Sequence, residues 1–285
     1  MAIIDLPMAG KICLVTGATA GIGEATASGL ASLGATVILA GRNIERCSAS
    51  VERIKQWTRN PEIAYLVADL SSQREVRRLA DEFKTRYARL DVLVNNVGAI
   101  NLARRFTEDG IELTFALNHL SYFLLTDLLI DLMISSAPAR IVNVSSSSHR
   151  QIGMNLENLQ GQGRYRGFRA YAQSKLGNVL FSYELARRLE GTGVTANALH
   201  PGVVATRFLC NNGKIGPLFS FFFGLRGISP SEGALTSIYL ASSNEMEGIT
   251  GGYYEKSQAV RSADASYDED TAARLWEISA EMTAE

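Results

Sequence analysis

Tyr171 and Lys175 stand four residues apart in a stretch that reads as helix from Phe168 to Glu190. That spacing puts a phenol and an ammonium on one helical face. Far upstream, an apolar strand from Ile12 runs into Thr16-Gly17-Ala18-Thr19-Ala20-Gly21-Ile22-Gly23. Together the two features suggest a bound nucleotide brought against a tunable proton donor. That is the minimum equipment for moving a hydride onto a carbonyl carbon and a proton onto its oxygen.

Such groups need a scaffold, and the chain offers alternating strand and helix patterns. Strands are expected at Ile12–Thr16, Thr36–Ala40, Ile63–Ala68, Asp91–Asn95, Arg140–Ser145 and Val194–His200, with a last short one at Gly252–Glu255. Helices are expected at Gly21–Leu33, Ile44–Thr58, Gln73–Tyr87, Glu108–Ile134, Phe168–Glu190 and Pro230–Ala241. This alternation predicts an α/β fold, a doubly wound parallel sheet of about seven strands covered on both faces. Ile141-Val142-Asn143-Val144 is nearly all apolar, as a strand buried on both sides requires. No linker composition divides the chain, so residues 1–285 are expected to form a single Rossmann-type domain. Two long connections, Ser147–Gly167 and Ala205–Ser229, begin where the ligand crevice of such folds lies, beyond the carboxyl ends of the strands.

Composition narrows the function. The 285 residues carry 46% apolar and 20% charged residues with a net charge of −1, so no general attraction to nucleic acid or anionic membrane is expected. Cys13, Cys47 and Cys210 form neither a metal-ligand spacing nor a disulfide framework, which favours a reducing, cytoplasmic setting. His119, His149 and His200 are too scattered for a metal site, and none is assigned. Met1–Met8 lacks the apolar core of an export signal. No run is expected to approach the roughly 18 apolar residues of a membrane span, the nearest being Leu218–Leu225.

Gly17, Gly21 and Gly23 follow a strand and open a helix. Glycine permits the tight turn and lets backbone N–H groups approach a pyrophosphate, and the helix N-terminus favours its charge. A site for NAD usually places a carboxylate at the end of the second strand. Here that strand ends Ala40-Gly41-Arg42, so Arg42 could pair with a 2′-phosphate and the expected cofactor is NADP(H). Asp69 could accept from an adenine amino group or cap a helix before Ser71 and Ser72. Asn95-Asn96-Val97-Gly98 suits close backbone approach to a ligand, though Asn and Gly also make ordinary turns. Pro201-Gly202 should turn the chain under the nicotinamide, with Thr206 bonding its carboxamide; an ordinary Pro-Gly turn is the plainer alternative.

These pieces occur in a recognisable order. With Thr16–Gly23 come Asp69-Leu70, Asn95–Gly98, Asn118, Ile141–Ser146, the Tyr171–Lys175 pair and Pro201-Gly202 followed by Thr206. Over almost its whole length the chain resembles the short-chain dehydrogenase/reductase superfamily. Within it, Gly41-Arg42, Asn158-Leu159-Gln160 and the long Ser146–Tyr171 insertion look most like the retinol dehydrogenase-like, NADP(H)-preferring reductases. Membrane-bound members of that group carry an apolar N-terminal anchor that Met1–Met8 does not match, so a soluble relative is expected. The resemblance implies a catalytic tetrad of Asn118, Ser146, Tyr171 and Lys175. It implies cofactor contacts from Gly17, Thr19, Gly21, Ile22, Gly23, Arg42, Asp69, Leu70, Asn96, Gly98, Pro201, Gly202 and Thr206, and from Tyr171 and Lys175.

The residue types suit those roles. A phenol's pKa of about 10 is too high to cycle easily at neutral pH. A neighbouring ammonium and a positive nicotinamide would lower it. Ser146 can polarise the substrate carbonyl, and Asn118 or a disrupted turn around it could hold a water leading to Lys175. Taken singly, Ser145–Ser148 could be turn residues, with Ser145 rather than Ser146 facing the substrate, and Asn118 could cap or kink a helix.

A hydrophobic substrate is expected, because Phe208, Leu209, Leu218, Phe221, Phe222 and Phe223 crowd the 205–229 loop. Those side chains could instead pack into the core, a subunit contact or a membrane surface. The apolar faces of Glu108–Ile134 and Phe168–Glu190 fit a homodimer, as in many relatives. The expected activity is an NADP(H)-dependent interconversion of a hydrophobic ketone or aldehyde and its alcohol. An epimerase or dehydratase on the same fold, and a nucleotide sensor or scaffold without turnover, are the alternatives.

Overall fold

Side chains alternate along a strand, and here the alternation feeds two cores. Cys13, Val15, Val37 and Leu39 enter one apolar cluster, while Leu14 and Ile38 enter another on the opposite face. In this computed structural model, which describes residues 6–202 and 227–284, the strands are β1 Ile12–Thr16, β2 Thr36–Gly41, β3 Ile63–Val67, β4 Val92–Asn95, β5 Ala139–Val144, β6 Val194–His200, β7 Tyr253–Glu255 and β8 Gln258–Ala259. They form one sheet in the order β3-β2-β1-β4-β5-β6-β7-β8. All neighbours are parallel except the β7–β8 pair. β1 therefore has β2 on one side and β4 on the other. The chain reverses its winding there, so the crevice opens beyond Thr16 and Asn95. The described sheet has one strand more than expected; β8 is two residues long and offers too little pattern to detect.

The helices are α1 Gly21–Ser32, α2 Ile44–Thr58 and α3 Gln73–Arg86, α4 Leu113–Ser135, and α5 Gly167–Arg188, α6 Pro230–Ser242 and α7 Glu269–Thr283. α4 starts later than Glu108. Asp109-Gly110 closes a turn with Gly110 at φ 73°, and the buried Glu112 carboxylate caps the helix by accepting from the N–H groups of Thr114 and Phe115. α4 is long and apolar enough to cross a bilayer by composition, but 72% of that stretch is buried inside the fold. Its Ala116–Leu120 turn is π-helical.

α7 was not expected from the sequence. Asp268 caps it, accepting from Thr271 N–H at 3.0 Å. Trp276 packs against Phe123 of α4 and Phe181 of α5, with ring centroids 4.9 and 5.7 Å away. Much of the apolar face that a second copy was expected to cover thus meets the chain's own last helix. Ser279 of α7 also meets the buried His119 ring at 3.0 Å.

Candidate active site

The glycine turn is locked from below. Thr16 Oγ1 accepts from the backbone N–H groups of Asn96 at 2.8 Å and Val97 at 3.1 Å. The Asn96 amide donates back to the Thr16 carbonyl at 2.8 Å. Gly17 and Gly21 adopt φ of 64° and 59°. A Cβ at Gly23 would fall 2.4 Å from the Gly17 carbonyl oxygen and 2.5 Å from the Asn96 amide nitrogen. The turn tolerates only glycine there. α1 then begins at Gly21 with no side-chain cap, whereas α2, α3, α6 and α7 are capped by Asn43, Ser72, Ser229 and Asp268. Its first N–H groups are available to an anion, and the turn fits a dinucleotide pyrophosphate. Thr19 and Ile22, half-buried, flank that opening.

A Cβ at Gly41 would lie 2.6 Å from the Thr19 methyl. Arg42, the next residue, therefore sits beside the glycine turn. It is exposed, and among the described residues nothing pairs with its guanidinium. Asp69 is not the cap of α3. Its Oδ1 accepts from the N–H and hydroxyl of Ser71 at 3.0 and 2.8 Å, while Ser72 caps the helix. Leu70 beside it is buried. Pro201 and Gly202, with Gly202 at φ 89°, follow β6. Thr206 and the aromatic residues of the 205–229 loop lie outside the described residues.

The four remaining residues come together at the ends of β4 and β5. Lys175 Nζ, buried, donates to the Val144 carbonyl at 2.8 Å and lies 5.4 Å from the centre of the Tyr122 ring. Gly98 lines the same spot: a Cβ there would be 3.3 Å from Asn118 Oδ1 and 3.6 Å from Lys175 Nζ. Asn118 pairs with the backbone of Ala99 as a strand would. Its Oδ1 accepts from Ala99 N–H at 2.8 Å, and its amide donates to the Ala99 carbonyl and to Ser174 Oγ, both at 3.0 Å. Asn118 lies in the π turn of α4, the disrupted turn anticipated around it.

The two candidate serines face different ways. Ser145 Oγ donates to the Lys175 carbonyl at 2.7 Å. The Ser146 side chain is the one that acts on the Tyr171 phenol, favouring its charged form, while its hydroxyl also meets the N–H and Oγ of Ser148, both at 3.3 Å. Burial pushes Tyr171 up to about 12, against a smaller lowering by Ser146, and pushes Lys175 down to about 7. In the protein alone, burial is thus the larger influence on the phenol. Ile100 and Leu102 pack beside Tyr171 and give the phenol an apolar flank.

Three supporting residues went unnoticed in the sequence. Tyr122 donates to the Val97 carbonyl at 2.8 Å, Asn178 reaches the Val144 carbonyl at 3.4 Å, and Ser174 holds Asn118. The spacing of Asn118 to Tyr122, and of Ser174 and Asn178 around Lys175, was the available signal. A cavity of about 210 Å³ lined by Lys11, Asp91 and Arg140 sits at the opposite, amino-terminal ends of the strands and holds none of the site residues.

A family model described as short chain dehydrogenase matches residues 11–214. Human retinol dehydrogenase 14 is 41% identical over 295 residues, covering 96% of this chain and 87% of that protein. Human polyprenol dehydrogenase is 41% identical over 97% of this chain and 86% of its own length. Among solved structures, an uncharacterized protein from Mycobacterium paratuberculosis aligns with a TM-score of 0.80 and 32% identity over 98% of this chain and 96% of that one. The Pseudomonas aeruginosa RhlG/NADP active-site complex aligns with a TM-score of 0.69 and 29% identity over 88% and 96%.

Proposed function

The chain belongs to the short chain dehydrogenase family and is a retinol dehydrogenase-like oxidoreductase; from that premise we propose that it uses NADP(H) to interconvert a hydrophobic ketone or aldehyde and its alcohol. The observation that carries the reading is the buried Lys175 held on the Val144 carbonyl, one helical turn from the buried Tyr171, with Ser146 the serine that acts on the phenol.

When bound, the nicotinamide cofactor supplies the hydride or takes it up. The chain's own residues manage the proton. Tyr171, protonated at neutral pH, donates to the substrate oxygen in reduction and accepts from the hydroxyl in oxidation. Ser146 donates a second hydrogen bond to that oxygen and polarises the carbonyl. The Lys175 ammonium stabilises the phenolate left behind, and the Val144 carbonyl favours that charged form. Asn118 holds the Ala99 backbone and so sets the wall against which Lys175 rests.

The cofactor preference is supported by Arg42, which directly follows β2, where a carboxylate would favour NAD. The apolar substrate is supported by Ile100 and Leu102 beside the phenol. Retinol and polyprenol, named for two relatives, are both apolar alcohols. A reducing, cytoplasmic setting is supported by Cys13 and Cys47, both buried free thiols.

The test is cofactor consumption with a panel of hydrophobic aldehydes and ketones, all-trans-retinal among them, using NADPH and NADH in parallel. Turnover with NADPH upholds the reading. Binding without turnover indicates a nucleotide sensor, and substrate conversion without net consumption indicates an epimerase.

A further inference from the structure

We propose that His149 is a positioning residue for Ser146: its neutral imidazole, protonated on Nδ1, holds the Ser146 carbonyl and so keeps the Ser146 hydroxyl aimed at Tyr171. The proposal rests on the reading that Ser146 orients the substrate oxygen.

His149 is fully buried in the short turn Ser147–Gln151 that follows Ser146. Its Nδ1 lies 2.7 Å from the Ser146 carbonyl oxygen, and its Nε2 receives the backbone N–H of Ala263 at 3.0 Å. A ring nitrogen that accepts an N–H is bare. The proton is therefore on Nδ1, where it donates to Ser146. The ring also packs on Tyr253, with centroids 4.8 Å apart.

Ala263 is itself anchored. Ser262 Oγ meets Tyr183 OH at 2.7 Å, Ser266 Oγ donates to the Ala263 carbonyl at 2.6 Å, and Arg150 donates to the Arg261 carbonyl at 2.7 Å. Tyr183 stands on α5, the helix that carries Tyr171. The contacts thus close a ring: Tyr171, α5, Tyr183, Ser262, Ala263, His149, Ser146 and back to the phenol. The ring matters because Ser146 has another partner, Ser148 Oγ at 3.3 Å. Freed from His149, the Ser146 backbone can shift with the Ser148 turn and carry the hydroxyl away from Tyr171.

Burial holds His149 below its ordinary range; Arg150 and His200 act the same way, while the Ser146 carbonyl and Glu255 oppose them. The ring is therefore neutral at pH 7. Acid that protonates Nε2 sets an N–H against the Ala263 N–H and opens the ring.

Three variants separate positioning from mere packing. His149→Asn keeps an amide N–H where Nδ1 stood. His149→Gln reaches the Nε2 position and loses the donor to Ser146. His149→Phe keeps bulk alone. With all-trans-retinal and NADPH, Gln and Phe should lose kcat about 10- to 100-fold, with KM and NADP+ affinity little changed, and Asn should stay within about threefold of wild type. The acid limb of the wild-type pH profile should vanish in His149→Asn. Histidine-selective 15N NMR reads the tautomer without activity and should show Nδ1 protonated. A proton on Nε2, or equal kcat for Asn and Gln, overturns the proposal. No wild-type turnover with any substrate of the panel overturns the functional reading instead, and the NMR result then stands apart from it.

Discussion

Lys175 Nζ donates to the carbonyl oxygen of Val144 at 2.8 Å, joining the helix of the Tyr171 phenol to the last residue of the strand that leads into Ser146. The contact fixes the ammonium, yet burial still pulls Lys175 down to about 7. Relative to an ordinary lysine value of about 10.4, the unfolded chain binds the proton more tightly. Stability of the cofactor-free protein should therefore rise as pH goes from about 7 toward 10.

The same depression makes cofactor binding proton-linked. A cofactor hydroxyl accepting from Lys175 would favour the ammonium, so binding above pH 7 should take up protons, and affinity should weaken as pH rises. Titration calorimetry in buffers of different ionisation enthalpy measures the uptake. Lys175→Met should abolish it, and equal heats in all buffers for wild type would refute the linkage.

Tyr171→Phe should lower carbonyl reduction by about two to four orders of magnitude while sparing cofactor binding. Steady-state consumption of NADPH and fluorescence titration of the cofactor read the two effects separately. Unchanged turnover rules out Tyr171 as the acid.

The two serines should separate cleanly. Ser145→Ala removes the bond between the end of β5 and the Lys175 carbonyl, which keeps only its helical donor, and should cost about 1 kcal/mol of stability, read by urea unfolding. Ser146→Ala should leave stability nearly intact and lower kcat about 100-fold. The reverse pattern would mean that Ser145 faces the substrate.

Arg42→Asp should erode the preference for NADPH over NADH, since it replaces the 2′-phosphate partner with a carboxylate suited to ribose hydroxyls. The measurement is the ratio of kcat/KM for the two cofactors. A wild type that favours NADH would show Arg42 to be an ordinary solvated arginine.

Trp276→Ala should loosen α7 and cost about 2–3 kcal/mol, because the ring is half-buried between Phe123 and Phe181 with the Arg188 guanidinium 4.4 Å from its centre. An unfolding midpoint equal to wild type would show that α7 adds nothing to the fold.

The strands and the glycine turn were legible because continuous apolar runs and a strand–turn–helix order leave few other arrangements. The Tyr171–Lys175 pair was legible through helical spacing. A disrupted turn around Asn118 was anticipated, but not that it is π-helical, since a slip of one hydrogen bond leaves no mark on residue types. α4 was read too long because Glu112 caps it with a side chain more often found inside helices. α7 escaped because its fully buried positions are Ala272, Leu275, Ser279 and Thr283, two of them polar. Its long-range partners, Trp276 on Phe181 and Ser279 on His119, show what it does.

That last helix ties the reaction centre to a distant stretch of chain. Ser279 meets His119, the neighbour of Asn118, and Trp276 wedges between Phe123 and Phe181, on the two helices that carry Asn118 and Lys175. Damage confined to α7 should therefore leave the strands and the glycine turn wound while the reacting groups lose their brace.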